Sequence, residues 1–353
     1  AESQTFHSET VAVYPGDKNN LPYDVVVERL HIEEPEPPAP VTEPEKTFEE
    51  VLDEHPVSIQ VNGQWQTFPN AKAAEEYKDN LRRNAKNFRI TDEHLGEGGP
   101  KAKFQANIEG IKLLKYLEET TAQATPEQQE VLSRYVGWGG LSDAFDPEKP
   151  AWALEYVQLK ELLTPEEYAA ARSSTLNAHY TSPTVIQAIY EAVGRMGFET
   201  GNILEPSMGV GNFFGMLPEE MRNSRLYGVE LDPVSGRIAK QLYPKADITV
   251  GGFETTDRRD FFDLAIGNVP FGQYQVNDKA YNKLNFNIHN YFFAKALDQV
   301  RPGGVVAFVT SRYTMDAKDS TVRRYLAQCA GTRIRYGGMI FAFCQKCSYS
   351  RVV

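Results

Sequence analysis

The sequence predicts an α/β fold in which helices cover both faces of a parallel sheet. From about residue 180 onward, short apolar runs alternate with segments of helical periodicity, the pattern of repeated βα units. These runs end in glycine, acidic or amide residues, which is typical of the ligand-binding edge of such a sheet. The 353 residues are enough for one sizeable core and a second unit.

The elements of this fold follow in chain order. "PTVIQAIYEAVGRMGF" (183–198) begins with a proline at a tolerated first-turn position and predicts a helix. "NIHNYFFAKALDQV" (287–300) places its apolar residues on one helical face. The predicted strands are "NILEP" (202–206), "RLYGVEL" (225–231), "DITVGGF" (247–253), "DLAIGNVPFG" (263–272) and "VVAFVT" (305–310).

The first half of the chain has a different texture. Residues 1–50 are predicted to be a tail with an acidic, proline-rich linker, since 33–50 hold seven Glu and five Pro against one Lys. Residues 51–175 predict a small hairpin around Asn62-Gly63, followed by helices. This half therefore precedes the α/β domain rather than contributing strands to it.

The α/β domain is predicted to span 176–330, and 331–353 form an atypical tail. Such a sheet needs two further strands after 305–310, and the tail offers only one clear candidate, "GGMIFAF". We therefore expect the C-terminal strands to be incomplete, through a boundary artefact or a shifted reading frame.

Charge and cysteine content restrict the class of protein. The net charge of −11 argues against a segment that grips nucleic acid strongly by itself, but it is compatible with a catalytic module of a larger protein. No apolar run is long enough to span a membrane, and no targeting signal begins the sequence, so a cytoplasmic segment of a longer protein is expected. "CQKC" has the spacing of half a zinc site but lacks the other two ligands, so no metal is predicted.

Acidic residues and glycines mark the first two strand ends. Glu205 and Pro206 end one strand, and Gly209 and Gly211 follow before a helix. Glu230 ends the next strand, about where an acid would accept hydrogen bonds from both hydroxyls of a ribose. A negative charge ahead of the glycines disfavours a dinucleotide and favours a cofactor with a cationic amino-acid end. Taken alone, the glycine segment could be a tight turn, and Glu230 could be the solvated end of a strand.

The fourth strand ends in an amide, a rigid turn and an aromatic ring. Asn268 is followed by Val269, Pro270 and Phe271. Asn, Pro and Gly all favour turns, so a simple strand end is one interpretation. The other is that the amide and the ring hold a flat substrate.

Five motifs mark successive positions in the second half of the chain. In order, they are "HYTSP" (179–183), "EPSMGVGNF" (205–213), "GVELDP" (228–233), "GGFE" (251–254) and "GNVPF" (267–271). Together they resemble the S-adenosylmethionine-dependent N6-adenine DNA methyltransferases. The resemblance is closest to the methylase portion of large helicase–methylase proteins of mobile bacterial elements, where "YVGWGGL" (135–141) also occurs. It implies a Rossmann-like methyltransferase sheet and a restriction-modification context.

The resemblance implies S-adenosylmethionine as the cofactor. Tyr180 and Thr181 would hold the methionine end, Glu230 the ribose, and Phe253 would cover the adenine. The family often has an acid immediately before that phenylalanine, where this chain has glycine. The full cofactor set is Tyr180, Thr181, Glu205, Pro206, Gly209, Gly211, Phe213, Glu230, Leu231, Phe253 and Asn268.

The resemblance also implies the catalytic residues Asn268, Val269, Pro270 and Phe271. Asn268 and the Val269 carbonyl would accept hydrogen bonds from the target amine, and Phe271 would stack on a base flipped out of DNA. Val269 stands where the family usually has a first proline, but its carbonyl survives the change. Target-recognition and helicase regions would lie elsewhere in the parent protein. A protein glutamine or RNA methyltransferase, or an inactive cofactor-binding module, are the alternatives.

Overall fold

The computed structural model describes residues 6–14, 25–32, 55–61, 64–92, 94–175, 181–310, 312–336 and 339–344. The chain divides into two units, Ala1–His55 and Pro56–Val353. In the first unit, strands β1 (Phe6–Tyr14) and β2 (Val25–Ile32) pair antiparallel. These two strands lie in the stretch that was predicted to be a tail. The β-branched run that begins β2 is the sequence signal for a strand. The predicted linker lies outside the described residues.

The second unit begins with the predicted hairpin and helical region. Strands β3 (Val57–Val61) and β4 (Gln64–Phe68) pair antiparallel, while the turn between them lies outside the described residues. Two helices begin with a proline and a capping box, which satisfies their first backbone N–H groups. The helices are α1 (Ala71–Asn84), α2 (Pro100–Glu119), α3 (Pro126–Ser133), α4 (Ala153–Leu162) and α5 (Pro165–Ser174).

The α/β region forms a seven-stranded sheet in the order β10-β11-β9-β8-β5-β6-β7. The strands are β5 (Asn202–Glu205), β6 (Arg225–Glu230), β7 (Asp247–Val250), β8 (Phe262–Asn268), β9 (Val300–Val309), β10 (Ala330–Tyr336) and β11 (Met339–Cys344). The helices are α6 (Pro183–Arg195), α7 (Asn212–Gly215), α8 (Pro233–Leu242), α9 (Ile288–Gln299), α10 (Tyr313–Asp316) and α11 (Thr321–Cys329). Strands β5 to β9 run parallel, as predicted.

The strand order reverses at β5, and this reversal positions the site. The chain runs outward from β5 through β6 to β7, and then returns to place β8 on the other side of β5. Along β8, Leu264 and Ile266 enter one core while Ala265 enters the core on the opposite face. Burial on both faces explains why these strands read as continuous apolar runs. The predicted Rossmann-like sheet is confirmed.

The C-terminal strands differ from the expectation. Strand β11 pairs antiparallel with β9, from Met339 opposite Val309 to Phe343 opposite Val305, and β10 pairs with β11. The prediction of an incomplete sheet edge is therefore wrong for these residues. The two strands are joined by only two residues, so the short C-terminal segment supplies both of them.

Gly211 provides a test of the tight turn between β5 and α7. Its φ is +84°, and an added Cβ would lie 2.6 Å from the Tyr243 ring. We expect Gly211→Ala to lower the free energy of unfolding by about 1–3 kcal/mol more than Gly209→Ala does, measured by chemical denaturation. Gly209 is the matched control, because its φ is also positive (+56°) but its Cβ position is open. Equal losses would contradict the packing argument.

Candidate active site at the carboxyl edge of the sheet

A cavity of about 490 Å³ opens at the carboxyl ends of β5, β6 and β8, where the strand order reverses. Its volume is within the usual range for small-molecule sites, and this edge is where open α/β sheets bind ligands. The structure brings most of the predicted site residues together here. Those that line the cavity are Thr181, Glu205, Pro206, Gly209, Phe213, Glu230, Leu231, Phe253, Asn268, Val269, Pro270 and Phe271.

Two predicted cofactor residues are not among the lining. Tyr180 lies outside the described residues. Gly211 does not line the cavity, so its place among the cofactor residues stays a prediction. Its N–H donates to the Met208 carbonyl at 2.8 Å, and the Tyr243 ring leaves no room for a side chain. The turn and the packing therefore already require a glycine at this position.

Glu205 presents a buried acceptor to the cavity. The side chain is 2% exposed, and its Oε2 atom has no hydrogen-bond partner among the described residues. Burial raises the pKa of Glu205 well above its usual range, and the nearby charge of Glu230 raises it further. A ligand that brings a cation or an N–H donor would remove this desolvation cost.

Glu230 is fixed by two backbone donors at the end of β6. The Gly209 N–H donates to Oε2 at 2.6 Å and the Asp232 N–H to Oε1 at 2.7 Å. Burial raises the pKa of this carboxyl from 4.5 to about 7, although these hydrogen bonds oppose the shift. Each carboxylate oxygen keeps further acceptor capacity, which suits a pair of hydroxyl donors.

The raised pKa of Glu230 makes stability depend on pH. Between pH 4.5 and about 7 the folded protein retains a proton that the unfolded chain has released. This contribution is complete below pH 4.5 and is lost as the pH rises through 7. From pH 5 to pH 8, wild type should lose about 3 kcal/mol more unfolding free energy than Glu230→Gln, by chemical denaturation. Glu205 and Asp232 titrate in both proteins, so parallel pH profiles would contradict the assignment to Glu230.

The end of β8 is held between its two neighbouring strands. The Val269 N–H donates to the Val309 carbonyl of β9 at 3.2 Å, and Val269 is 1% exposed. On the other side, a Cβ on Gly267 would lie 3.3 Å from the Glu205 side chain, so the two strand ends are in close contact. Asn268 and Glu230 consequently face one shared cavity.

One wall and one end of the cavity are formed by residues that were not predicted for the site. The wall belongs to the helical region and consists of a loop after α3 and the end of α5. The sequence feature that pointed to this wall was the "YVGWGG" loop (135–140). An apolar end is formed by the segment after Phe271 and by the start of α9. The missed lining residues include Tyr135, Val136, Gly137, Trp138, Ala170, Ser173, Ser174, Asp232, Tyr274, Val276, Ile288 and Phe292.

The sheet order and the cavity at its reversal define the Rossmann-like methyltransferase class of α/β fold. Within this class, the sequence model of the family described as Eco57I restriction-modification methylase matches residues 240–335. The matched segment runs from the end of α8 into β10 and includes the Asn268 motif. The expected resemblance to DNA methylases is confirmed.

Two curated proteins are similar to parts of this chain. Defense against restriction protein B of Escherichia phage P1 is 27% identical over 220 residues, which cover 61% of this chain and 8% of that protein. Type II methyltransferase M.CvrRI of Paramecium bursaria Chlorella virus XZ-6E is 39% identical over 92 residues, 26% of this chain and 24% of that protein. The chain therefore spans less than a quarter of the length of either relative.

Among solved structures, a Listeria monocytogenes protein assigned to the class I S-adenosylmethionine-dependent methyltransferases is 14% identical, with a TM-score of 0.42. The match covers 71% of this chain and 89% of that one.

Across the described residues, no group of three His, Cys, Asp or Glu side chains could hold a metal ion. In the same part of the chain, every helix is too short or too polar to cross a membrane.

Proposed function

We propose that this chain transfers the methyl group of S-adenosylmethionine to the N6 amine of adenine in DNA, as a module of a longer protein. The observation that carries the proposal is the shared cavity, where the Glu205–Glu230 pair meets the Asn268–Phe271 motif. The residues proposed to bind the methyl donor and those proposed to bind the accepting amine therefore line the same cavity, as direct transfer requires.

The residues of the acidic end fit S-adenosylmethionine, which supplies an electrophilic methyl group on a sulfonium. Glu205 offers an unpartnered buried oxygen to the cationic part of the ligand. Glu230 accepts the ribose hydroxyls, and Thr181 lies at the methionine end. Phe253 and the 73%-exposed Leu231 provide apolar surfaces for the adenine.

The residues of the other end fit an exocyclic amine on a flat base. The Asn268 side-chain oxygen and the Val269 carbonyl would each accept a hydrogen bond from one N–H of the amine, which orients the nitrogen lone pair toward the methyl group. Ionisation of a general base is not required, because the amine would lose its proton to solvent water only after the methyl carbon has passed from sulfur to nitrogen. Phe271 stacks on the base, which must leave the duplex to reach this depth.

DNA is the proposed substrate because the matched family and M.CvrRI are restriction-modification and type II methyltransferases. The net charge of −11 indicates that most of the phosphate contacts come from elsewhere. Target-recognition and helicase regions of the longer protein would supply them, consistent with the small share of the phage P1 relative that this chain spans.

The test is methyl transfer from radiolabelled S-adenosylmethionine to duplex DNA, followed by digestion and nucleoside analysis. N6-methyl-2′-deoxyadenosine as the labelled nucleoside supports the proposal. Label in cytosine would contradict the target, and label only in RNA or protein glutamine would support the alternative methyltransferase classes. Cofactor binding by calorimetry without transfer to any of these acceptors would identify an inactive binding module.

A further inference from the structure

A buried ion pair lies behind the cavity, between α9 and the segment that follows the Asn268 motif. We name residues 272–287 the target loop, because Tyr274 and Val276 within it line the apolar end of the cavity. The Lys295 Nζ atom of α9 donates to Asp278 of this loop at 2.8 Å. The two side chains are 4% and 11% exposed.

Asp278 anchors the target loop at several points. Besides Lys295, the Tyr291 hydroxyl donates to its carboxylate at 2.9 Å. The Asp278 carbonyl accepts from the Tyr281 and Asn282 N–H groups at 2.9 and 2.8 Å. The carboxylate is therefore one of the points at which the loop is attached to α9; another is the Tyr281 hydroxyl, which donates to Asp298 at 2.8 Å.

The Lys295 ammonium also contacts the proposed adenine surface. Its Nζ atom lies 5.2 Å from the centre of the Phe253 ring, and within 6 Å of the Tyr281 and Tyr291 rings. A cation over desolvated aromatic faces is held by their quadrupoles. One ammonium group thus joins Phe253 at the cofactor end to Asp278 in the loop at the target end.

Neither Lys295 nor Asp278 lines the cavity, so their action on a ligand is indirect. We infer that the Lys295–Asp278 pair is a positioning pair that couples cofactor binding at Phe253 to ordering of the target loop. A ligand packed on Phe253 restricts the ring, the ring restricts the ammonium, and the ammonium restricts Asp278. The inference rests on the proposed function for the identity of the two ligands.

Coupling of this kind is a free energy shared between two sites, typically about 5- to 150-fold in affinity. Cofactor binding should therefore slow the opening of the target loop, and a loop closed on DNA should slow cofactor release. Breaking the pair should remove this mutual effect while the cofactor contacts themselves remain.

The experiment is hydrogen–deuterium exchange of peptides that cover residues 272–287, with and without saturating S-adenosylhomocysteine. In wild type we expect ligand to slow exchange in the loop by about fivefold or more. In the Lys295→Met/Asp278→Asn double variant we expect ligand binding by calorimetry but no ligand-dependent protection of the loop. The double change leaves no single buried charge, which would itself destabilise the fold.

The control is the Arg258→Met/Asp247→Asn variant. Arg258 pairs with Asp247 at 3.1 Å and lies over the Tyr227 and Phe261 rings, so the same two kinds of contact are removed at an exposed position away from the cavity. Its loop protection should equal that of wild type. If the double variant at 295 and 278 fails to fold by circular dichroism, the Lys295→Gln/Asp278→Asn variant keeps two polar side chains at these positions and removes both charges.

The outcomes separate the two proposals. Wild type that fails to bind the cofactor overturns the proposed function, and the coupling with it. Binding without loop protection in wild type, or equal protection in wild type and the positioning-pair variants, overturns the coupling alone. In turnover assays, the same coupling requires that KM for DNA at saturating cofactor and KM for the cofactor at saturating DNA both rise in the positioning-pair variant.

Discussion

The Asn268→Ala protein should lose about 100- to 1,000-fold in kcat for methyl transfer while its cofactor Kd rises far less. The side-chain oxygen at this position accepts the amine N–H hydrogen bond most strongly as positive charge develops on nitrogen, so its removal acts on the transition state. A fall in kcat that greatly exceeds any rise in the cofactor Kd is the pattern of such a residue, because Asn268 is one of eleven residues in the predicted cofactor set. Radiolabel transfer and calorimetry measure the two quantities.

Asn268→Asp is the matched control for this prediction. Aspartate keeps an acceptor oxygen at the same position. We expect it to retain more activity than alanine. Equal losses in the two variants, or a loss of cofactor binding in Asn268→Ala, would place the side chain in a structural role instead.

The second large effect is expected at the ribose position. Glu230→Ala should weaken S-adenosylmethionine binding by about 100-fold or more, because two hydrogen bonds to a charged acceptor each contribute about 1.5–3 kcal/mol. The carboxylate is already oriented by the Gly209 and Asp232 N–H groups, so the ligand pays little to organise it. Isothermal titration calorimetry of both proteins gives the comparison, and equal heats would remove the ribose assignment.

Glu230→Gln separates the ribose contacts from the support of the loop. Glutamine can still accept the Gly209 or Asp232 N–H through its one carbonyl oxygen, but it cannot accept at both positions. An intermediate affinity, with a circular dichroism spectrum like that of wild type, is the expected result. A Glu230→Ala protein that has lost its fold would show that the residue mainly supports the turn.

The sheet was largely predictable because parallel strands buried on both faces carry a strong signal. Ile203, Leu264 and Val306 belong to apolar runs bounded by glycine and polar residues, and all three are buried in the sheet. Strands β10 and β11 were not predicted as a pair, because the 24 residues after α11 seemed too few. A connection of two residues between Tyr336 and Met339 makes them sufficient.

The candidate site was predictable only along strand ends. Glu205, Glu230 and Asn268 each end a parallel strand, and parallel strands bring their carboxyl ends to one edge. The Tyr135–Trp138 loop has no comparable pattern, because its place in the wall depends on packing between helices distant in sequence. Gly211 shows the converse, since glycine spacing alone does not distinguish a ligand contact from a crowded turn.

The contribution of the helical region to the cavity has a consequence for any attempt to transplant this active site. A fragment cut at residue 176 would keep every acid and amide discussed above, but it would lose Tyr135, Trp138 and Ser174. The proposed cofactor site would then be open to bulk water on one side. Trp138 packs edge-on against Phe104 of α2, with 6.0 Å between the ring centres, so a portable unit must also include this helix, which starts at Pro100.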